Sequence, residues 1–202
     1  GIDNIFNFLS RFGFGNKTGI DMEGETSGLL PSQEWKAKRY QQIWYPGDTV
    51  SVGIGQGYSL VTPLQLAFAT ATLANGGIAY KPHLVKEVRS SLGAEMRQIA
   101  SEPIYDLNID PAHLELVRSA MVAVTQPGGT AVYASLGTPY HIAGKTGTAQ
   151  VIAMKQGEKY DEKAVDERLR DHAWFVAYAP AEKPRIALAV LAENGGHGGS
   201  TA

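Results

Sequence analysis

The sequence has no cysteine, which excludes disulfides, thiolate metal sites and thiol catalysis. It also lacks a charge of one sign. Eighteen Lys+Arg stand against 20 Asp+Glu, a net charge of −2 with no long run of either sign, so no basic field recommends a nucleic acid as partner. No stretch approaches the roughly 20 apolar residues needed to span a bilayer; the longest candidate, Leu64 to Ala74, is broken by threonines and a glutamine. An initiator methionine is missing too: the chain opens on Gly1-Ile2-Asp3 and closes on a glycine-rich tail, Gly195 to Ala202. The expectation is a piece of a longer protein, whose leader or anchor is not to be judged from this stretch. What is present, 44% hydrophobic residues and 19% charged over 202 positions, is the composition of a folded chain with enough core for one domain.

Helix signals come first. Asp3 is placed to cap a helix carrying Ile5, Phe6, Leu9 and Phe12, stopped by Gly13 and Gly15. Ser32 after Pro31 starts a second helix, Gln33 to about Tyr40, with Trp35 as its expected anchor. The strongest start is Thr62-Pro63 with Gln65 three residues after the cap, a capping box opening a small-residue, nearly all-apolar helix that Asn75-Gly76-Gly77 ends. Asp110-Pro111 opens another, with Leu114, Val117, Met121 and Val124 on one stripe and Gln126-Pro127-Gly128-Gly129 as its stop. Thr130-Ala131 restarts a short helical turn. Between these, Asn16 to Pro31 reads as a loop rich in glycine, threonine and acids with room for a short strand, and Trp44 to Tyr58 as a glycine-rich connection either lining a cleft or packed beneath one. Ile78 to Val88 reads as extended and Ser90 to Asn108 as an exposed hairpin or loop.

The third part is strand-like. His172 to Ala179 and Arg185 to Glu193 are joined by Pro180-Ala181-Glu182-Lys183-Pro184, a hairpin connection. A strand at Ala143-Gly144-Lys145-Thr146-Gly147-Thr148-Ala149-Gln150 precedes them across a charged excursion, Lys155 to Arg170. Three strands following helices predict an α+β fold, an antiparallel sheet with helices packed against it.

Chemistry concentrates in the first of those strands. Alternation puts Thr146, Thr148 and Gln150 on one face and Lys145, Gly147 and Ala149 on the other. Two hydroxyls two residues apart suit a carboxylate, the ammonium points behind the strand, and Gly147 admits a close backbone or ligand. A phosphate loop is excluded: the glycine it needs five residues before Gly144 is Pro139. Gly53 and Gly55 fail a dinucleotide fingerprint, because Tyr58 stands where its third glycine belongs. No metal site is expected. Asp21, Glu23 and Glu25 are scattered loop acids, His197 is a loop residue among glycines, and no His-Glu-x-x-His occurs. Asp171-His172 makes no triad, since neighbours on a strand point to opposite faces and no Gly-x-Ser-x-Gly elbow exists. Trp174, on the adjoining strand, is either a wall of the cleft or a core aromatic.

The ordered segments Gly-Ile-Gly-Gln-Gly-Tyr at 53–58, Thr62-Pro63-Leu64-Gln65-Leu66-Ala67, Gly128-Gly129-Thr130-Ala131 and Lys145-Thr146-Gly147-Thr148-Ala149-Gln150 resemble the transpeptidase domain of class B penicillin-binding proteins. Arg168-Leu169-Arg170-Asp171-His172 and Glu193-Asn194-Gly195-Gly196 narrow the resemblance to the elongation-type penicillin-binding protein 2. It covers all 202 residues, and implies that 1–202 is the C-terminal portion of that domain, incomplete at both ends. It further implies a peptidoglycan DD-transpeptidase working through a serine acyl-enzyme, without cofactor. Lys145 would support the proton relay, and Thr146, Gly147, Thr148 and Gln150 would bind substrate. The Thr148 N–H would be one of two oxyanion donors. Implied ligands are a stem peptide ending in D-Ala-D-Ala, which can pair with the strand's edge, and β-lactams. Implied too are a membrane glycosyltransferase of the elongation complex as partner and a periplasmic location on an inner-membrane anchor outside this chain.

One departure limits this. No serine has a lysine three residues on or an asparagine two on, so the family's Ser-x-x-Lys and Ser-x-Asn motifs are absent and are expected upstream of Gly1. Other readings stay open: a DD-carboxypeptidase or serine β-lactamase of the same superfamily, or a non-catalytic penicillin-recognising sensor or scaffold.

Overall fold

The computed structural model describes residues 1–90, 96–152 and 165–201. In order, these form α1 (Ile2–Arg11), α2 (Gln33–Tyr40), α3 (Pro46–Gly53), α4 (Pro63–Ala74), β1 (Ile78–Tyr80), β2 (Glu87–Arg89), β3 (Met96–Gln98), β4 (Pro103–Asp106), α5 (Pro111–Thr125), β5 (Ala143–Ala149), β6 (His172–Ala179), β7 (Ile186–Ala192) and α6 (Gly198–Thr201). Short 3-10 turns lie at Val132–Ser135 and Glu167–Leu169. The sheet β5-β6-β7 is an antiparallel meander. Two small ribbons, β1-β4 and β2-β3, are antiparallel as well.

The expected α+β class holds, and so do most helix starts. Thr62 Oγ1 accepts the Gln65 N–H at 3.1 Å while Gln65 Oε1 accepts the Thr62 N–H at 3.0 Å, the reciprocal cap read from sequence. Ser32 accepts the Trp35 N–H and Asp110 the Ala112 N–H. Four details differ. Gly1, not Asp3, caps α1; Asp3 lies inside the first turn, where its charge suits the helix dipole, and accepts from Gln33 at 2.8 Å. The buried residue of α2 is Lys36, with Trp35 half-buried against the rings of Tyr40 and Tyr58. Val117 faces solvent, because only the Leu114, Met121 and Val124 part of the α5 stripe meets the core. Segment 46–53 is helical where a glycine-rich connection was expected. Of Lys155 to Arg170, residues 155–164 lie outside the described residues.

One face of the meander is covered by helices; the other is covered over β5 and β6 and leaves Ile186, Leu188 and Val190 of β7 exposed. On the first, Ala143 and Tyr178, the latter 1% exposed, pack with Ala74 of α4 and Met121 and Val122 of α5. On the other, Phe175 and Ala177 pack with Val124 and Ala131. Burying one such aromatic is worth about 1.5–3 kcal/mol. Gly144 is required by this packing: a Cβ there would lie 2.6 Å from Phe175 Cζ. Among the described residues, no helix is long and apolar enough to cross a membrane.

Candidate active site

β5 is an edge strand, paired on one side only, with all seven residues in register with β6 from Ala143↔Tyr178 to Ala149↔His172. Main-chain groups alternate in direction along an antiparallel strand. The Thr148 C=O and the Gln150 N–H bond to the side chain of Gln56, not to β6, so Thr146 and Thr148 turn their N–H and C=O to the edge away from the sheet. The site residues of β5 therefore offer a main-chain ladder as well as side chains.

Lys145 is exposed. Its Nζ donates to the Thr146 C=O at 2.5 Å, curling back to the strand's own edge. This corrects the expectation of an ammonium packed behind the strand. On an edge strand the long stem carries the charge to solvent.

The two hydroxyls sit as alternation requires, each with a neighbour that local sequence did not disclose. Thr146 Oγ1 lies 3.1 Å from Thr130 Oγ1. Thr148 Oγ1 accepts the Gly198 N–H at 3.3 Å. The Thr148 hydroxyl, holding a donor at its oxygen, keeps its own hydrogen to give; in the Thr130–Thr146 pair either hydroxyl can donate, and hydroxyl hydrogens on one face are the chemistry that grips a carboxylate. The close approach expected at Gly147 is made by the C-terminal segment: a Cβ on Gly198 would lie 2.1 Å from the Gly147 carbonyl oxygen and 2.6 Å from that of Trp174. Trp174 is half-buried and directly opposite Gly147 in the register.

The far end of β5 is held by Gln56, in the turn that follows α3. Pro46 opens that helix and Asp48 accepts the Tyr45 N–H at 2.8 Å, a start signal that the surrounding glycines obscure. Beyond it Gly55 and Gly57 take positive φ, +76° and +72°, and the Gln56 N–H returns to the Ser51 C=O at 2.9 Å. Gln56 then reaches β5, its Nε2 donating to the Thr148 C=O at 2.7 Å and its Oε1 accepting the Gln150 N–H at 3.2 Å. So Gln56 of the 44–58 segment bonds directly to β5. Gln150, expected as a binding side chain, contributes a main-chain bond.

Lys36 anchors α3 to α2. It is 2% exposed, its Nζ donates to Asp48, and it lies 4.5 Å from the Tyr45 ring centre and within 6 Å of those of Trp44 and Tyr58. Burial opposes both charges, but the mutual hydrogen bond and attraction prevail. The Asp48 carboxyl is held below its ordinary range and the Lys36 ammonium above its own.

The remaining polar candidates are structural. His172 Nδ1 accepts the Asn194 N–H at 2.9 Å, and the Asp171 C=O accepts that of Gly196. Asp21 accepts the N–H groups of Leu84 and Val85, and Glu25 those of Thr18 and Gly19.

β5 is thus an edge strand bearing Lys-Thr-Gly, with two hydroxyls on one face and main-chain groups turned away from the sheet. The family described as "Penicillin binding protein transpeptidase domain" matches residues 1–202. The chain is 46% identical over 205 residues to the peptidoglycan D,D-transpeptidase MrdA of Acinetobacter baumannii, covering 100% of this chain and 30% of that protein. It superposes on Pseudomonas aeruginosa PBP2, solved in complex with WCK 5153, with a TM-score of 0.81 and 44% identity, over 99% of this chain and 40% of that one. Helicobacter pylori PBP2, solved in complex with MreC, gives 0.77 and 32%, over 98% and 33%. The chain belongs to the penicillin-binding protein transpeptidase family, and its similarity there is to the PBP2 type. It spans about a third of the length of the curated relatives it matches.

Proposed function

We propose that this chain forms the Lys-Thr-Gly wall of a peptidoglycan DD-transpeptidase and is the C-terminal portion of its catalytic domain. The observation that carries the reading is the edge of β5: Thr146 and Thr148 on one face, each hydroxyl in contact with a polar group, and the Thr148 N–H turned to the open side. In the reaction, a serine hydroxyl outside these 202 residues attacks the carbonyl of the penultimate D-alanine. The terminal D-alanine leaves with its amine protonated, and an acceptor stem-peptide amine then takes the acyl group and frees the serine. The hydroxyls of Thr146 and Thr148 hold the terminal carboxylate, Gly147 keeps the strand accessible, the Thr148 N–H stabilises the developing oxyanion, and Lys145 supports proton transfer and the site's positive field. A β-lactam enters by the same contacts. The parent works at the outer face of an inner membrane, beside a membrane glycosyltransferase. Relatives solved as a PBP2–MreC complex and within a peptidoglycan synthase complex support a multiprotein setting.

Fluorescent penicillin tests this in two steps. The isolated 202-residue chain, which has no Ser-x-x-Lys, is expected to stay unlabelled, and the full-length protein to label stoichiometrically. Labelling of the isolated chain would overturn the assignment of the nucleophile. Product analysis decides the reaction: cross-linked dimers for the transpeptidase, released D-alanine alone for a carboxypeptidase, rapid drug turnover for a β-lactamase, and no acyl-enzyme for a sensor.

A further inference from the structure

The side chain of Gln56 makes two bonds to the open edge of β5, and their pattern is specific. Its NH2 donates to the C=O of residue 148 at 2.7 Å and its oxygen accepts from the N–H of residue 150 at 3.2 Å. A residue of a parallel neighbouring strand, placed beside Ala149, would bond to those same two groups through its own N–H and C=O. The carboxamide therefore stands where the backbone of an added strand would stand. Its own main chain is fixed by the bond to Ser51 and by the left-handed glycines on either side, while the side chain has free torsions with which to withdraw.

We propose that Gln56 is a specificity-determining gate on the β5 edge, an internal substitute for a ligand amide that an incoming extended ligand must displace from the Thr148 C=O. The inference rests on the ligand-binding reading of β5 given above. An exposed edge carbonyl needs a donor, and Gln56 supplies it. A ligand bearing an amide N–H beside its reactive carbonyl replaces that donor and keeps the count of hydrogen bonds. A ligand without one leaves Gln56 in place. Gln56 thus weighs against the first kind by the worth of one hydrogen bond and is neutral to the second.

The test uses the full-length protein carrying this chain and two β-lactams, one with an acylamino side chain and one with hydrogen there. Gln56→Ala is expected to raise the second-order acylation rate constant for the acylamino compound about three- to tenfold, the range a single net hydrogen bond spans, and to leave the other within twofold. Gln56→Asn, one methylene short of the edge, should behave like Gln56→Ala and guards against a folding artefact. In the same full-length protein, amide exchange at Gln150 should quicken in both variants. A fall for the acylamino compound, or an equal change for both compounds, overturns the gate. Unchanged exchange at Gln150 overturns the contact itself. If the unsubstituted protein is acylated by neither compound, it is the binding-wall reading that fails, an outcome distinct from normal acylation that is insensitive to Gln56.

Discussion

Lys36 and Lys145 are both lysines of this chain, and the molecule treats them oppositely. Lys36 is closed in by Asp48 and three aromatic rings and joins α2 to α3. Lys145 is exposed on an edge strand and donates to the carbonyl of the next residue. The first ammonium is part of the framework; the second lies at the surface of the strand. Charge alone does not separate the two, and neither does local hydrophobicity, since α2 is among the most polar helices of the chain.

The contrast breaks most sharply at Lys145. Lys145→Ala in the full-length protein should lower the acylation rate constant by at least about 100-fold, the scale of a lost proton-transfer partner, yet shift the melting temperature by no more than about 2 °C, as an exposed substitution does. Comparable losses in both measurements would make Lys145 structural. Asp48→Ala is the converse, leaving Lys36 buried without its counter-charge. It should lower the melting temperature by roughly 10 °C, with any loss of acylation following the loss of folded protein. Gly144→Ala probes the sheet between the two regions. Its Cβ would press on the Phe175 ring, 2.6 Å from Cζ, and should cost about 1–3 kcal/mol in denaturant unfolding.

The pH dependence of stability sharpens the comparison further. Asp48 titrates lower in the folded chain than unfolded, so its contribution is complete above about pH 4, the unfolded range, and is lost as pH falls through the folded value. Lys36 titrates higher when folded. Its contribution is complete below about pH 10.4 and goes as pH rises through the folded value. Asp48→Asn should flatten both limbs of the stability curve measured by urea unfolding, and Lys145→Ala neither. The smallest effect expected is that of Thr130→Val, which removes the partner of the Thr146 hydroxyl. Stability should change by no more than about 1 kcal/mol, with a severalfold rise in the apparent Kd for a carboxylate-bearing β-lactam and little change in the maximal acylation rate.

What the sequence disclosed was local. α4 announces itself through Thr62, Pro63, Gln65 and the glycines at 76 and 77, all within a few residues of the backbone they cap. β5 is legible because strand alternation alone assigns Thr146 and Thr148 to one face. α3 was obscured because its start signal, Asp48 returning to Tyr45, lies among glycines that read as turn. The partners of the site residues were out of reach for a different reason. Gln56 meets Thr148 across 92 positions, Gly198 meets it across 50, and Thr130 meets Thr146 across 16, and no periodicity encodes such encounters. Lys36 carried no sign of burial, since its counter-ion lies on another helix.

Gln65 shows how a local rule can conceal a stricter one. A capping box is satisfied by glutamine or glutamate alike, because only a side-chain oxygen is asked to accept. Here the other end of the same amide donates to the carbonyls of Asn16 and Ser27, each at 2.7 Å, so the start of α4 also ties down two stretches of loop that have no ladder of their own. Deamidation at this position, the slow chemistry of ageing protein, would leave the helix start intact and turn a buried carboxylate toward two carbonyl oxygens. Gln65→Glu mimics that lesion, and its melting curve, set beside helix content by circular dichroism, would show the loops letting go while α4 keeps its first turn.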